Sequence, residues 1–134
     1  MSDFPWNTPS KMVNYSVIAI LLFGIFFGYA YYFAISSPYR ISSEETTQRI
    51  RSNQIDLVVD VRSQLERDTI GFYPHSMHVP NIKAFPEQEP DKSTRILVYC
   101  NTGQRARIAT EQLRKMGYNH AVYMVGIPTA IAPM

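Results

Sequence analysis

The stretch ILVYCNTGQRARIATEQLRKMGYNHAVYMV, residues 96–125, decides the fold. Together with Arg95 it opens on a continuous apolar run that ends in Cys100, the only cysteine among 134 residues. A short β-branched and apolar run of this kind suits a strand buried on both faces of a parallel sheet. From Gln104 to Met116 the pattern changes, with Ile108, Ala109, Leu113 and Met116 recurring at helical spacing and Gly117 placed as a C-cap. Ala121 to Val125, AVYMV, then reads as a second short strand.

Upstream, IDLVVDV (Ile55 to Val61) repeats the buried-strand pattern. Before it, Ser42 and Glu45 have the spacing of a capping box, with Ile41 placed for a hydrophobic staple, so a helix is expected to run to Arg51 or Ser52. On it Glu45 and Arg49 stand at i,i+4, a favourable charge pair. NIKAFPEQEPDKS (Asn81 to Ser93), with two prolines and mixed charge, reads as a surface connection. Strand and helix alternate over about 70 residues, which predicts an α/β domain with a mostly parallel sheet.

The first third is of another kind. No charge occurs from Met12 to Tyr39, and VIAILLFGIFFGYAYYFAI (Val17 to Ile35) would span about 28 Å as a helix, close to a bilayer's hydrocarbon thickness. Tyrosines, among them Tyr15, Tyr29, Tyr31, Tyr32 and Tyr39, crowd its two ends like an interfacial belt. A core helix apolar on every face would need a far larger protein around it. Ala34-Ile35-Ser36 faintly resembles a signal cleavage site, but the apolar run is longer than a signal core of about 7–15 residues. The expected organisation is a tail at 1–12, a transmembrane helix at 13–36, a linker at 37–42 and a folded domain at 43–134. Lys11 precedes the span while Arg40, Arg49 and Arg51 follow it, so the positive-inside bias predicts a single-pass protein with a cytoplasmic or matrix-facing C-terminal domain. Gly24 and Gly28 form a G-x-x-x-G spacing that permits self-association.

Composition narrows the function. All but one of the 13 Lys and Arg follow residue 36, intermixed with all but one of the 11 Asp and Glu, so no basic stripe for a nucleic acid is expected. A single cysteine excludes an intramolecular disulfide, and nothing indicates a cofactor. His75 and His78 form an H-x-x-H pair without a further cysteine or an intervening acidic residue, too few ligands for zinc, so no metal site is expected.

Chemistry concentrates at Cys100. Ligands of open parallel sheets bind beyond the carboxyl ends of strands, and Cys100 closes one such strand. The loop Asn101, Thr102, Gly103, Gln104 would aim backbone N–H groups and a helix N-terminus at the sulfur, and Arg105 adds positive charge, so a reactive thiolate is favoured over a packing thiol. Gly103 would let the backbone turn close to a bound group.

Three pieces carry a resemblance: LVVDVRSQLE (Leu57 to Glu66), with a strand ending in Asp-Val-Arg and a Glu four residues on; MHVPNI (Met77 to Ile82), similar to Gly-His-Ile-Pro-Gly-Ala; and residues 96–125, with a Cys-x-x-Gly-x-Arg loop. In this order they resemble the rhodanese-like sulfurtransferases, here as a single domain behind a membrane anchor. The resemblance implies a three-layer domain and a Cys100 persulfide that passes sulfur from a donor such as thiosulfate to a thiol or cyanide acceptor. It implies that Asn101 to Arg105 hold the anionic persulfide, with Arg105 binding the donor or stabilising the leaving group. Asp60, Arg62 and the loop histidine His78 would support the site by hydrogen bonds. Related phosphatases and arsenate reductases need Cys-x5-Arg to fork an arginine onto an oxyanion. That position is Ala106, with Arg105 one residue early and Arg107 one late. Gly126 stands alone where the family usually carries paired glycines and an aromatic-containing helix, so a catalytically weak binding module is the second reading.

Overall fold

A computed structural model of the chain describes residues 9–129. Two compact units meet at the Tyr32–Phe33 boundary. The first is helical: α1 runs Pro9–Ile35, 27 residues, and among the described residues it is the one helix long and apolar enough to cross a membrane. Ile20, Leu22, Ile25 and Phe26 on it are exposed.

The second unit contains α2 (Ser43–Arg51), β1 (Leu57–Asp60), α3 (Gln64–Ile70), β2 (Met77–His78), a 3-10 turn (Ile82–Ala84), α4 (Phe85–Gln88), β3 (Ile96–Cys100), α5 (Gln104–Lys115) and β4 (Val122–Val125). The four strands form one sheet in the order β2-β1-β3-β4, every pair parallel. This is the expected α/β architecture. In β3 the two-residue period of a strand sends Ile96, Val98 and Cys100 into the core shared with Ala109 and Leu113 of α5, and Leu97 and Tyr99 into the core shared with Ile50 of α2. Each large aliphatic side chain so buried contributes about 1.5–3 kcal/mol.

The helix over the expected 104–116 stops at Lys115. Gly117, at φ +100°, donates to Arg114 O (3.0 Å), and Tyr118 N–H donates to Leu113 O (3.0 Å), which completes a Schellman turn. At the start of α2 only half of the expected capping box forms. Ser42 Oγ accepts from Glu45 N (3.1 Å), but the Glu45 carboxylate turns to Arg49 at 2.5 Å.

Three features depart from the sequence expectation. The connection 81–93 is not confined to the surface: Phe85 and Ile82 are buried, and Phe85 packs edge-on against Tyr118 with ring centroids 5.1 Å apart. Between β1 and that connection lie a helix, α3, and an edge strand, β2, neither of which the apolar periodicity announces. Within residues 37–42, expected as a linker, Arg40 makes an isolated parallel bridge to Tyr123. Ile41 N–H donates to Tyr123 O (2.9 Å) and Tyr123 N–H to Tyr39 O (3.0 Å), so the chain runs parallel to β4 and covers its open edge. Tyr123 Oη also donates to Ala34 O at 2.6 Å, which ties the residues just before this segment to the domain.

Candidate active site

Register places the site residues. β1 and β3 pair Asp60 with Tyr99, so both side chains lie on the α2 side while Cys100, one residue on, faces α5. Asp60 therefore reaches the cysteine loop only through intermediaries.

Cys100 ends β3 as a free, fully buried thiol. Gly103 N–H donates to its Sγ at 3.0 Å and Ala106 N–H at 3.4 Å. Two backbone dipoles and the first turn of α5 thus converge on one sulfur. Gly103 has φ +95°, and an added Cβ would stand 2.7 Å from Val125 Cγ2, so the left-handed turn and the close approach both require glycine. Thr102 Oγ1 donates to Gln104 Oε1 across the loop.

Beneath the loop is a buried charge network. Arg62 donates from Nε (3.0 Å) and Nη2 (2.9 Å) to the two carboxylate oxygens of Asp60, from Nη2 to Gly71 O (2.7 Å) and from Nη1 to Asn101 Oδ1 (2.9 Å). Asp60 also accepts from Arg62 N (2.9 Å), Arg67 Nη1 (3.0 Å) and Tyr99 Oη (2.8 Å). Burial alone would raise the Asp60 pKa, but the hydrogen bonds from Arg62 and Tyr99 outweigh it and hold the carboxyl below its ordinary value. His78 sets its Nε2 2.6 Å from Arg62 O, and His75 lies edge-on to Tyr73, 6.1 Å between centroids, so the two histidines make separate contacts. Asp60, Arg62, His78 and Asn101 are thus brought together under the loop.

Arg105 pairs with a carboxylate that the sequence reading did not single out. Its Nη1 and Nη2 fork onto Glu66 Oε2 and Oε1 at 2.8 and 2.7 Å. Glu66 also accepts from Asn101 Nδ2 (3.1 Å) and, with Ser63, closes a full capping box at the start of α3. Hydrogen bonds from Arg105, then from the Ser63 backbone, hold the Glu66 carboxyl down at about 2. Glu66, Tyr99 and Arg67 were missed as site residues. The Ser63-x-x-Glu66 spacing is a capping-box signature that marks where α3 begins, but nothing local ties Glu66 to a residue 39 positions away. Arg107 has other partners: Nη1 donates to Phe33 O (2.5 Å) and Ser36 Oγ (3.1 Å), and Nε to Glu111 (2.9 Å). Both flanking arginines are thus engaged by groups of the protein itself.

Residues 42–127 match the Rhodanese-like domain family. The adenylyltransferase and sulfurtransferase uba4 of Ogataea parapolymorpha is 26% identical over 123 residues, covering 90% of this chain and 30% of that protein, so the chain spans under a third of that relative. The human single-domain sulfurtransferase TSTD1 superposes with TM-score 0.55 at 23% identity, over 68% of this chain and 92% of its own. Thiosulfate sulfurtransferase of Pseudomonas aeruginosa gives 0.53 at 24% identity, over 67% of this chain and 18% of its own. At these identities the structural likeness speaks for the fold. The match over residues 42–127, on a parallel sheet that ends in a cysteine loop, identifies this chain as a member of the rhodanese-like domain family.

Proposed function

We propose that this chain is a sulfurtransferase that carries sulfane sulfur as a persulfide on Cys100. The observation that carries this reading is the pair of N–H groups, Gly103 and Ala106, directed at the Cys100 sulfur. A Cys100 thiolate attacks the outer sulfur of a donor such as thiosulfate. The new S–S bond forms as the donor's sulfur–sulfur bond breaks, and its electron pair leaves with sulfite. An acceptor thiolate or cyanide then takes the terminal sulfur and returns the thiolate. The terminal persulfide sulfur stands about 2.05 Å from Sγ, within reach of the same loop amides. Asp60, Arg62 and His78 are positioning residues that hold Asn101 and the loop.

Membrane anchoring through α1 belongs to this reading, with the domain facing cytoplasm or matrix. Gly24 and Gly28 have nothing within 4 Å of an added Cβ, which leaves room for a second copy of the helix. The test is mass spectrometry of the full chain in detergent after exposure to a sulfane donor. A gain of about 32 Da on Cys100, lost together with turnover in Cys100→Ser, is the expected result. No persulfide from any donor would leave the binding-module reading in its place. Protease protection in sealed vesicles checks the orientation.

A further inference from the structure

Arg105 stands in the first turn of α5, directly after the cysteine loop, yet both of its Nη groups are engaged by Glu66, with side-chain exposures of 46% and 26%. Of the two partners Glu66 is the fixed one. Ser63 N and Oγ hold its Oε2 at 2.8 and 3.1 Å, and Asn101 Nδ2 holds its Oε1 at 3.1 Å. It also sits in the first turn of α3, where a helix favours negative charge. Breaking the pair therefore means swinging Arg105 away while leaving a carboxylate beside the loop. A small dianion approaching Cys100 meets that carboxylate and a guanidinium already neutralised. An organic persulfide does not need that cation. Arg105 also lines a cavity of about 220 Å³ whose other walls mix apolar side chains, among them Val61, Ile82 and Ala109, with the polar Asn81, Lys83 and Gln112, which has room for a carrier group.

We propose that the Glu66–Arg105 pair is a specificity latch that disfavours small sulfur dianions and reserves Cys100 for organic persulfides, R–S–SH, whose carrier R occupies the adjoining cavity. The inference rests on the sulfurtransferase reading. In the step it selects, the Cys100 thiolate attacks the outer sulfur of R–S–SH. The Sγ–S bond forms as the donor's own S–S bond breaks, and the electron pair leaves on RS⁻, giving Cys100–S–SH without net oxidation. Glu66 touches none of the reacting atoms and acts through Arg105.

The experiment measures rates of Cys100 persulfide formation in the full chain in detergent, with thiosulfate and with the persulfide of N-acetylcysteine methyl ester. Wild type is expected to prefer the organic persulfide. Glu66→Gln, which retains an oxygen acceptor for Ser63, is expected to raise the ratio of thiosulfate to organic-persulfide rates by about two- to fivefold, on the scale of one half-exposed charge pair. The gain should disappear in Glu66→Gln/Arg105→Ala, because it needs the released guanidinium, and it should shrink with added salt. An equal loss of both rates in Glu66→Gln would assign the pair a purely structural role and overturn the latch. So would a gain that persists without Arg105. A wild-type chain that takes sulfur from neither donor overturns the sulfurtransferase reading itself, an outcome distinct from both.

Discussion

The two ends of β1 carry the same ion pair in opposite settings. At its start Asp56 accepts from Arg95 Nε (2.9 Å) and Nη2 (2.6 Å), with side-chain exposures of 41% and 43%. At its end Asp60 accepts from Arg62 at nearly the same distances, with both side chains fully buried. Water screens the first pair, and losing it returns two ions to solvent. Around the second, every donor that leaves Asp60 is stranded without solvent, and one of those donors reaches Asn101 in the cysteine loop. The chemistry of the pair does not determine its importance; burial and the next hydrogen bond do.

Asp60→Asn should break the comparison most severely. It leaves Arg62 and Arg67 beside a neutral amide and should cost about 3–5 kcal/mol in denaturant unfolding. If such a variant still folds, Cys100 persulfide formation should fall with it, since the Asn101 support is loosened.

Acid should separate the ends next. Both folded carboxyls lie below their ordinary value, Asp60 chiefly because hydrogen bonds overcome its burial and Asp56 at about 2 through the hydrogen bond from Arg95. Their contributions are therefore fully present above the unfolded-state pKa of about 3.9 and fade as pH falls through the folded values. Melting curves between pH 5 and pH 2, read over that window, should show wild type losing stability as pH drops; solvent screens the half-exposed Asp56 pair despite its larger shift, so Asp60→Asn should flatten the slope more than Asp56→Asn. An equal effect would place the two pairs in the same class. The smallest change is expected from Asp56→Asn at pH 7, a melting temperature within about 2 °C of wild type by differential scanning fluorimetry.

Much of the fold was legible because its strongest signals are local. β3 and α5 switch from a two-residue to a 3.6-residue apolar period within one loop, and their bounds came out within a residue of the pattern. β2 has two residues and α3 seven, too short for either period to show. The bridge from Arg40 to Tyr123 was hidden for the same reason. Tyr39 to Ile41 have no strand pattern of their own and are ordered by pairing to β4.

By itself the sequence determined a strand, a glycine turn and a helix start around Cys100, and an apolar N-terminal helix, because covalent neighbours and short-range sterics suffice for those. It also set the loop length that leaves Ala106, not an arginine, with its N–H at the sulfur. Only tertiary structure decided where the arginines point. Arg105 and Glu66 are 39 residues apart, and their pairing exists because parallel β1 and β3 bring both loops to the same end of the sheet. Charge at a site follows from such neighbours, and a one-dimensional pattern does not contain them.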